Sequence, residues 1–175
     1  ASGTTDKNGT TIRWKADPSI FTETTTYAFD VLAMRLRELA FLNGNITIVF
    51  RDERLTTPRE KVYQFDGGIR QFVSYLNEGK AIIPADPIFI EGSRDDIVVE
   101  LAVQYNDGYN ENILSFVNDI NTKEGGAHLE GLKSALTKVM NEFLKNNAKL
   151  LKKLDKEEKL TGEDVRAGLT SVLSV

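Results

Sequence analysis

The chain has 175 residues, 41% of them hydrophobic, and its 22 Lys plus Arg against 26 Asp plus Glu leave a net charge of −4. That length and apolar content support one good core, or a core with a small appendage, and set disorder aside. With no cysteine and a single histidine, a disulfide framework, a thiolate zinc site and a metal centre built on several imidazoles are all excluded, and the acidic balance means that any contact with DNA or RNA needs a local basic lining.

In chain order, "GTTIRWKAD" (9 to 17) alternates Thr10, Ile12 and Trp14 on one side, as a strand does, until "DPSIF" interrupts it. From Tyr27 to Asn43, a stripe of Phe29, Leu32, Ala33, Leu36, Leu39 and Ala40 predicts an amphipathic helix that stops at Asn43-Gly44. "NITIVFR" and "KVYQF" predict two short strands paired as a hairpin, broken by Asp66-Gly67-Gly68. Ile69, Phe72, Val73 and Leu76 give a short helix expected to lie on the sheet, and "IIPADPIF" leads toward the next strand.

"DDIVVELAVQY" carries Ile97, Val99, Leu101, Val103 and Tyr105 on one face and Val98 and Ala102 on the other, the pattern of a central strand covered in part on both sides. "NDGYNE" supplies a turn, and "NILSFVN" is expected to return as the antiparallel neighbour of that strand. From Ala127, Leu129, Leu132, Ala135, Leu136, Val139, Met140, Phe143 and Leu144 recur at three and four, predicting a helix of roughly five turns that covers the sheet. Thr161 stands three residues before Asp164, close to a capping box, ahead of a short helix and the strand-like "TSVLSV". The apolar pattern is still running at the last residue, and the first strand has no partner near it in sequence, so a piece of a larger protein is expected.

Few of the residues suggest catalysis. The chain contains no GxxxxGK[ST], GxGxxG or HExxH motif and no nucleophile elbow. His128 alone does not make a triad and is expected to be a structural, hydrogen-bonded residue near a helix start. Just before it, Lys123-Glu124-Gly125-Gly126 is compatible either with a phosphate cradle at a helix N-terminus or with a tight turn. The run "KNNAKLLKKLDKEEK" (145 to 159), with six lysines against three acids, reads as a solvated helix face before it reads as a nucleic-acid patch, and Asp95-Asp96 and Glu157-Glu158 read as solvated acids. No run approaches the roughly 18 apolar residues of a membrane span, and "ASGTTDKNGT" lacks the flank and apolar run of a signal peptide. A soluble chain, compatible with a reducing cytoplasm, is expected.

"YNDGYNENILSFVNDINTKEGGAHLEGLKSALTKVMN" (105 to 141) together with "LTGEDVRAGLTSVLSV" resembles the transducer domain of type IIA topoisomerase B subunits. "LAMRLRELAFLN" and "FDGGIRQFVSYLN" match earlier landmarks of that family, so the similarity spans nearly the whole chain. "NDGYNENILSFVNDINTKEGG" is closer to the DNA gyrase form than to that of topoisomerase IV.

The resemblance implies that residues 1–20 are the end of a GHKL-type ATPase domain and 21–175 a transducer domain truncated before its Gln-Thr-Lys loop. Gly9 and Thr10 would then stand at the edge of an incomplete adenine pocket. ATP and Mg2+ would be cofactors of the intact parent enzyme. This piece would use neither, because the rest of the nucleotide machinery lies upstream and downstream. It is expected to have no catalytic residue and no metal site. Lys123 matches a basic position of the family that faces a cavity for double-stranded DNA, and Lys133, Lys138 and Arg35 are further candidates. The implied partners are duplex DNA, the gyrase A subunit and a second copy of the B subunit. The implied compartment is the cytoplasm, with no membrane association and with the isolated piece a monomer.

Periodicity alone indicates only an α+β fold. The family adds the fold shared by a ribosomal small-subunit protein and by GHMP kinases, a four-stranded sheet backed by helices with a left-handed βαβ crossover. That kinship brings two rivals, since fold does not settle function. A ribosomal-type RNA-binding module is opposed by the net acidity, and a phosphotransferase using Gly125-Gly126 is opposed by the lack of a serine-rich glycine loop.

Overall fold

The computed structural model describes residues 4, 8–147 and 159–175. Helix α1 spans Phe29–Leu42 and is followed by an antiparallel hairpin, β1 (Ile48–Asp52) with β2 (Arg59–Tyr63), in the register Ile48 to Tyr63. Helix α2 (Gly68–Leu76) leads to β3 (Ile82–Arg94), β4 (Ile97–Asn106), β5 (Asn112–Val117) and β6 (Ile120–Asn121). Helix α3 (Ala127–Asn146), the short α4 (Gly162–Arg166) and strand β7 (Leu169–Ser174) complete the described elements. The larger sheet has the order β3-β4-β7-β5-β6, and β1-β2 forms a sheet of its own.

Both hairpins of the larger sheet turn on acidic or amide residues with left-handed backbones. Asp95 (φ 51°) and Asp96 (φ 63°) join β3 to β4, and Asn118 (φ 47°) and Asp119 (φ 65°) join β5 to β6. Two consecutive positive φ values match the right-handed twist of the strands, and Asn and Asp tolerate that region better than other side chains.

The middle of the sheet is covered on both faces. On one, Phe41, Ile69, Phe72 and Val73 of α1 and α2 pack against Ala102, Phe116 and Val172. Phe41 is the centre of this layer, its ring stacked at 3.6 Å from Phe65 and 4.6 Å from Phe72. On the other face, Leu132 and Leu136 of α3 meet Leu101, Val103, Leu169 and Leu173. A third cluster, Phe29, Ala33, Ala40 and Tyr63, fastens α1 to the small hairpin.

Several sequence expectations need correction. No strand forms over 9–17. Ile12 and Trp14 are exposed, and the alternation there has no neighbouring strand among the described residues to accept its hydrogen bonds. Strand β5 is not the neighbour of β4. Strand β7 lies between them, antiparallel to β4 and parallel to β5. Leu169, Val172 and Leu173 are apolar to both sides, so β7 takes the most buried position, and parallel strands require the crossover that β6, α3 and α4 supply.

The sheet has five strands rather than four because Ile120–Asn121 adds a two-residue edge. "IIPADPIF" is part of β3 itself, interrupted by a register shift between Ile83 and Ile88. There the Gln104 amide donates to Pro84 O at 2.9 Å and Ala85 O at 3.2 Å, satisfying carbonyls that the ladder leaves unpaired.

The apolar stripe of α3 is not clamped along its whole length. Val139 and Phe143 are 60% and 55% exposed. Leu144, next to Phe143, is only 8% exposed, so Val139 and Phe143, four residues apart, are uncovered because they share one side of the helix. The 145–159 lysine run lies outside the described residues over 148–158, as does Glu157-Glu158.

Truncating the stacked Phe41, which is 1% exposed, to alanine is expected to lower the unfolding free energy by about 3–5 kcal/mol in urea titrations. Val49→Ala on the exposed face of the small hairpin should change it by less than about 0.5 kcal/mol.

Candidate nucleic-acid interface

Positions three, four and seven apart on a helix share a face. On α3 the run Glu130, Ser134, Lys138, Asn141 and Lys145 follows that spacing with Lys133 beside it, and it lines an open groove of about 950 Å³. Helix α4 closes the groove on its other side with Arg166, and Lys159 joins just before α4. Two acids, Glu130 and Glu142, also line it, so five cations face two carboxylates on a chain that is acidic as a whole.

Helix α4 is too short to hold itself in place and is fixed by specific bonds. The capping box forms as the spacing predicted: Asp164 N donates to Thr161 Oγ1 at 3.2 Å, and Thr161 N donates to Asp164 Oδ2 at 2.9 Å. Asn141 of α3 clasps the residue before the cap, donating from Nδ2 to Leu160 O at 3.0 Å and accepting from Leu160 N at 2.8 Å. The Tyr105 hydroxyl donates to Val165 O at 2.8 Å, joining α4 to β4, and burial pushes its pKa above that of a free phenol.

Glu111, just ahead of β5, ties two of the groove cations together. Its Oε1 accepts from Lys133 Nζ at 3.0 Å and its Oε2 accepts from Arg166 Nε. Burial pushes the Glu111 carboxyl up, but the hydrogen bonds and charges of Arg166 and Lys133 outweigh it and hold the group below the usual glutamate range.

The structure brings Lys133 and Lys138 together in this groove. Lys123 is exposed in the turn that enters α3 and is not among the groove-lining residues. Arg35 lies on α1, whose Phe41 packs on the opposite face of the sheet from α3. Its guanidinium donates to Glu38 Oε2 at 2.7 Å and to Asp119 O at 2.6 Å, holding the β5–β6 turn against the helix. Gly9 and Thr10 are exposed and do not line the groove. Arg166 and Glu111 are site residues that sequence reasoning missed, while Lys145 and Lys159 are the ends of the 145–159 run that it read first as a solvated helix face. The seven-residue interval from Lys138 to Lys145 was a usable signal, whereas Glu111 and Arg166 meet across 55 residues and leave no local trace.

The glycine pair is explained by the turn itself. Gly125 (φ 79°) and Gly126 (φ 148°) take conformations that strain other residues, and Gly125 N donates to Thr122 O at 2.9 Å. A Cβ on Gly126 would fall 2.8 Å from His128 Cε1, and that ring is held by a 2.9 Å hydrogen bond between Nε2 and Thr122 Oγ1. Thr122 in turn donates to Ser115 O at 3.0 Å, so His128 fastens the start of α3 to β5. His128 is therefore structural, as expected.

The family model for DNA gyrase B matches residues 68–175. The chain belongs to the DNA gyrase B family. Among curated relatives, the DNA gyrase B protein of Treponema denticola is 70% identical over 173 residues and that of Treponema pallidum 65%. Each alignment takes in 99% of this chain but 27% of the relative, so the chain spans about a quarter of their length. Among solved structures, the 43K ATPase domain of Thermus thermophilus gyrase B, crystallised with an aminocoumarin, superimposes with a TM-score of 0.72 at 33% identity, over 90% of this chain and 42% of that one. The gyrase B protein of Myxococcus xanthus gives a TM-score of 0.70 at 25% identity, over 87% and 40%. In this gyrase B family chain, Gly126→Ala should lower stability by about 1–3 kcal/mol in thermal or urea unfolding, because neither the backbone nor the anchored imidazole gives way cheaply.

Proposed function

We propose that this chain is the transducer module of a gyrase-type type IIA topoisomerase, relaying ATP binding and hydrolysis in an adjoining ATPase domain to the DNA gate. In this reading the α3–α4 groove lines the cavity through which a transported duplex passes. The observation that carries it is the concentration of Lys133, Lys138, Lys145, Lys159 and Arg166 in one groove of a net acidic chain that belongs to the gyrase B family.

A relay of this kind needs parts that move as bodies, since only contacts that differ between two states can shift an equilibrium. Helix α3 is suited to it by anchors at two points, His128 to Thr122 at the start and Asn141 to Leu160 farther along. The cations meet phosphates without reading bases, as a passing duplex of any sequence requires. Lys123, exposed in the turn that enters α3, is proposed as a further phosphate contact outside the groove. The βαβ unit of β5, α3 and β7 is taken to be the left-handed crossover of the ribosomal-protein and GHMP-kinase fold.

ATP and Mg2+ belong to the intact enzyme in this reading. Gly9 and Thr10, both exposed, are the proposed edge of an adenine pocket that the rest of the intact enzyme completes. Duplex DNA, the gyrase A subunit and a second copy of the gyrase B protein are the proposed partners of the whole protein, the cytoplasm its compartment, and the isolated chain a monomer. No described helix is long and apolar enough to cross a membrane.

Filter binding with duplex DNA, structured RNA and ATP in parallel tests this function. Weak, salt-sensitive duplex binding without tight RNA or nucleotide binding is expected, and Lys138→Ala should weaken the duplex arm while flattening its log–log salt slope by about 0.9. Tight RNA binding or micromolar ATP affinity would overturn it. In the intact gyrase B protein, Lys123→Glu should lower DNA-stimulated ATP turnover; unchanged stimulation removes Lys123 from the interface.

A further inference from the structure

The groove cations fall into two sets. Among the described residues, no carboxylate pairs with Lys138, Lys145 or Lys159, whereas Lys133 and Arg166 share the two oxygens of Glu111. Glu111 does not line the groove. It approaches from the segment before β5, 22 residues from Lys133 and 55 from Arg166. The side chains of Lys133 and Arg166 are only 24% and 17% exposed, so this pairing is better shielded from solvent than most surface ion pairs.

A carboxylate and a phosphate present the same chemistry to a lysine and an arginine, two anionic oxygens that accept charge-assisted hydrogen bonds. We propose that Glu111 is an internal counter-anion that occupies the place of a nucleic-acid phosphate between Lys133 and Arg166, so that a duplex engages those two cations only by displacing it. The inference rests on the assignment of the groove to duplex DNA and adds a regulator of its affinity. Lys138, Lys145 and Lys159 make the open, first contact. Lys133 and Arg166 are released to the DNA only in exchange for Glu111, which reclaims them as the duplex leaves. A glutamate carboxyl is anionic at neutral pH whether paired or displaced, so Glu111 is always available to compete. A surface that must let DNA pass gains from a competitor that limits how tightly it holds.

The test is fluorescence anisotropy of a short labelled duplex with the chain itself, its Glu111→Gln variant and its Lys138→Ala variant, across 50 to 200 mM salt. Glutamine keeps the shape and an acceptor but loses the charge. Freeing two cations for phosphate should tighten binding at low salt and steepen the log–log slope by up to about 1.8, so that the affinity lost across that salt range grows by roughly tenfold. A purely structural tie would leave the slope unchanged or weaken binding, and either result overturns the proposal. If Glu111→Gln does not fold by circular dichroism, the wild-type chain is titrated with duplex while the Glu111 carboxyl carbon is followed by NMR. A displaced carboxylate shifts, and one that stays unmoved at saturation overturns the proposal. If Lys138→Ala weakens duplex binding while Glu111→Gln does not steepen its salt dependence, only the role of Glu111 falls. If no form of the chain binds duplex, the assignment of the groove falls and this inference falls with it.

Discussion

Strand β7 is the constraint on which the rest of the architecture depends. It pairs antiparallel with β4 from Glu100–Ser174 to Tyr105–Leu169 and parallel with β5 from Asn112–Thr170 to Phe116–Ser174. The two halves of the sheet share no other described strand. Its residues from Leu169 to Leu173 are buried, with Val172 in the α1–α2 layer and Leu169 and Leu173 under α3. Following every other strand in sequence, β7 closes contacts that span more than 50 residues, and such non-local pairings carry a cost in chain entropy.

A strand buried on both faces brings polar side chains inside with it, and these are answered by a network. The Thr170 hydroxyl donates to Asn77 Oδ1 at 2.7 Å, Asn77 Nδ2 donates to Gln104 Oε1 at 2.9 Å, and Asn106 Nδ2 donates to both Asn77 Oδ1 and Thr170 Oγ1 at 3.1 Å. Asn77 caps the end of α2, so the network sets where that helix stops relative to β4 and β7. Buried amides left unpaired would each cost about 1–3 kcal/mol, so the arrangement penalises any other register. Ser171 Oγ and Tyr63 OH are buried hydroxyls that find no such partner among the described residues.

The groove depends on the same framework from the opposite face. Leu132 and Leu136 seat the first half of α3 on the sheet, and Tyr105 and Asn141 seat α4 beside it, which brings Arg166 to the Glu111 carboxylate that Lys133 shares. Local charge then departs from the average of the chain: a net charge of −4 coexists with a surface where five cations face two acids. Net charge governs long-range encounter, but within about a Debye length of 10 Å the local arrangement decides what is bound.

Helix α1, the β1–β2 hairpin, α2, β4, α3 and the capped α4 were legible from the sequence, because each is specified by periodicity, turn residues or a cap within a short window. The sequence also determined that chemistry resting on thiolates or several histidines is absent, and through its motifs it pointed to the gyrase B family. Lys133 and Lys138 could be nominated as candidate site residues, but that Arg35 would be occupied on the far face, or Glu111 placed between Lys133 and Arg166, could not be read from it. Nor could the insertion of β7 between β4 and β5, the absence of a strand over 9–17, or the side of α3 left uncovered at Val139 and Phe143. The physical reason is common to all of these. Pairing partners, burial and ion pairs between distant segments are properties of which surfaces meet, and a window of sequence carries the preferences of one surface without the identity of the other.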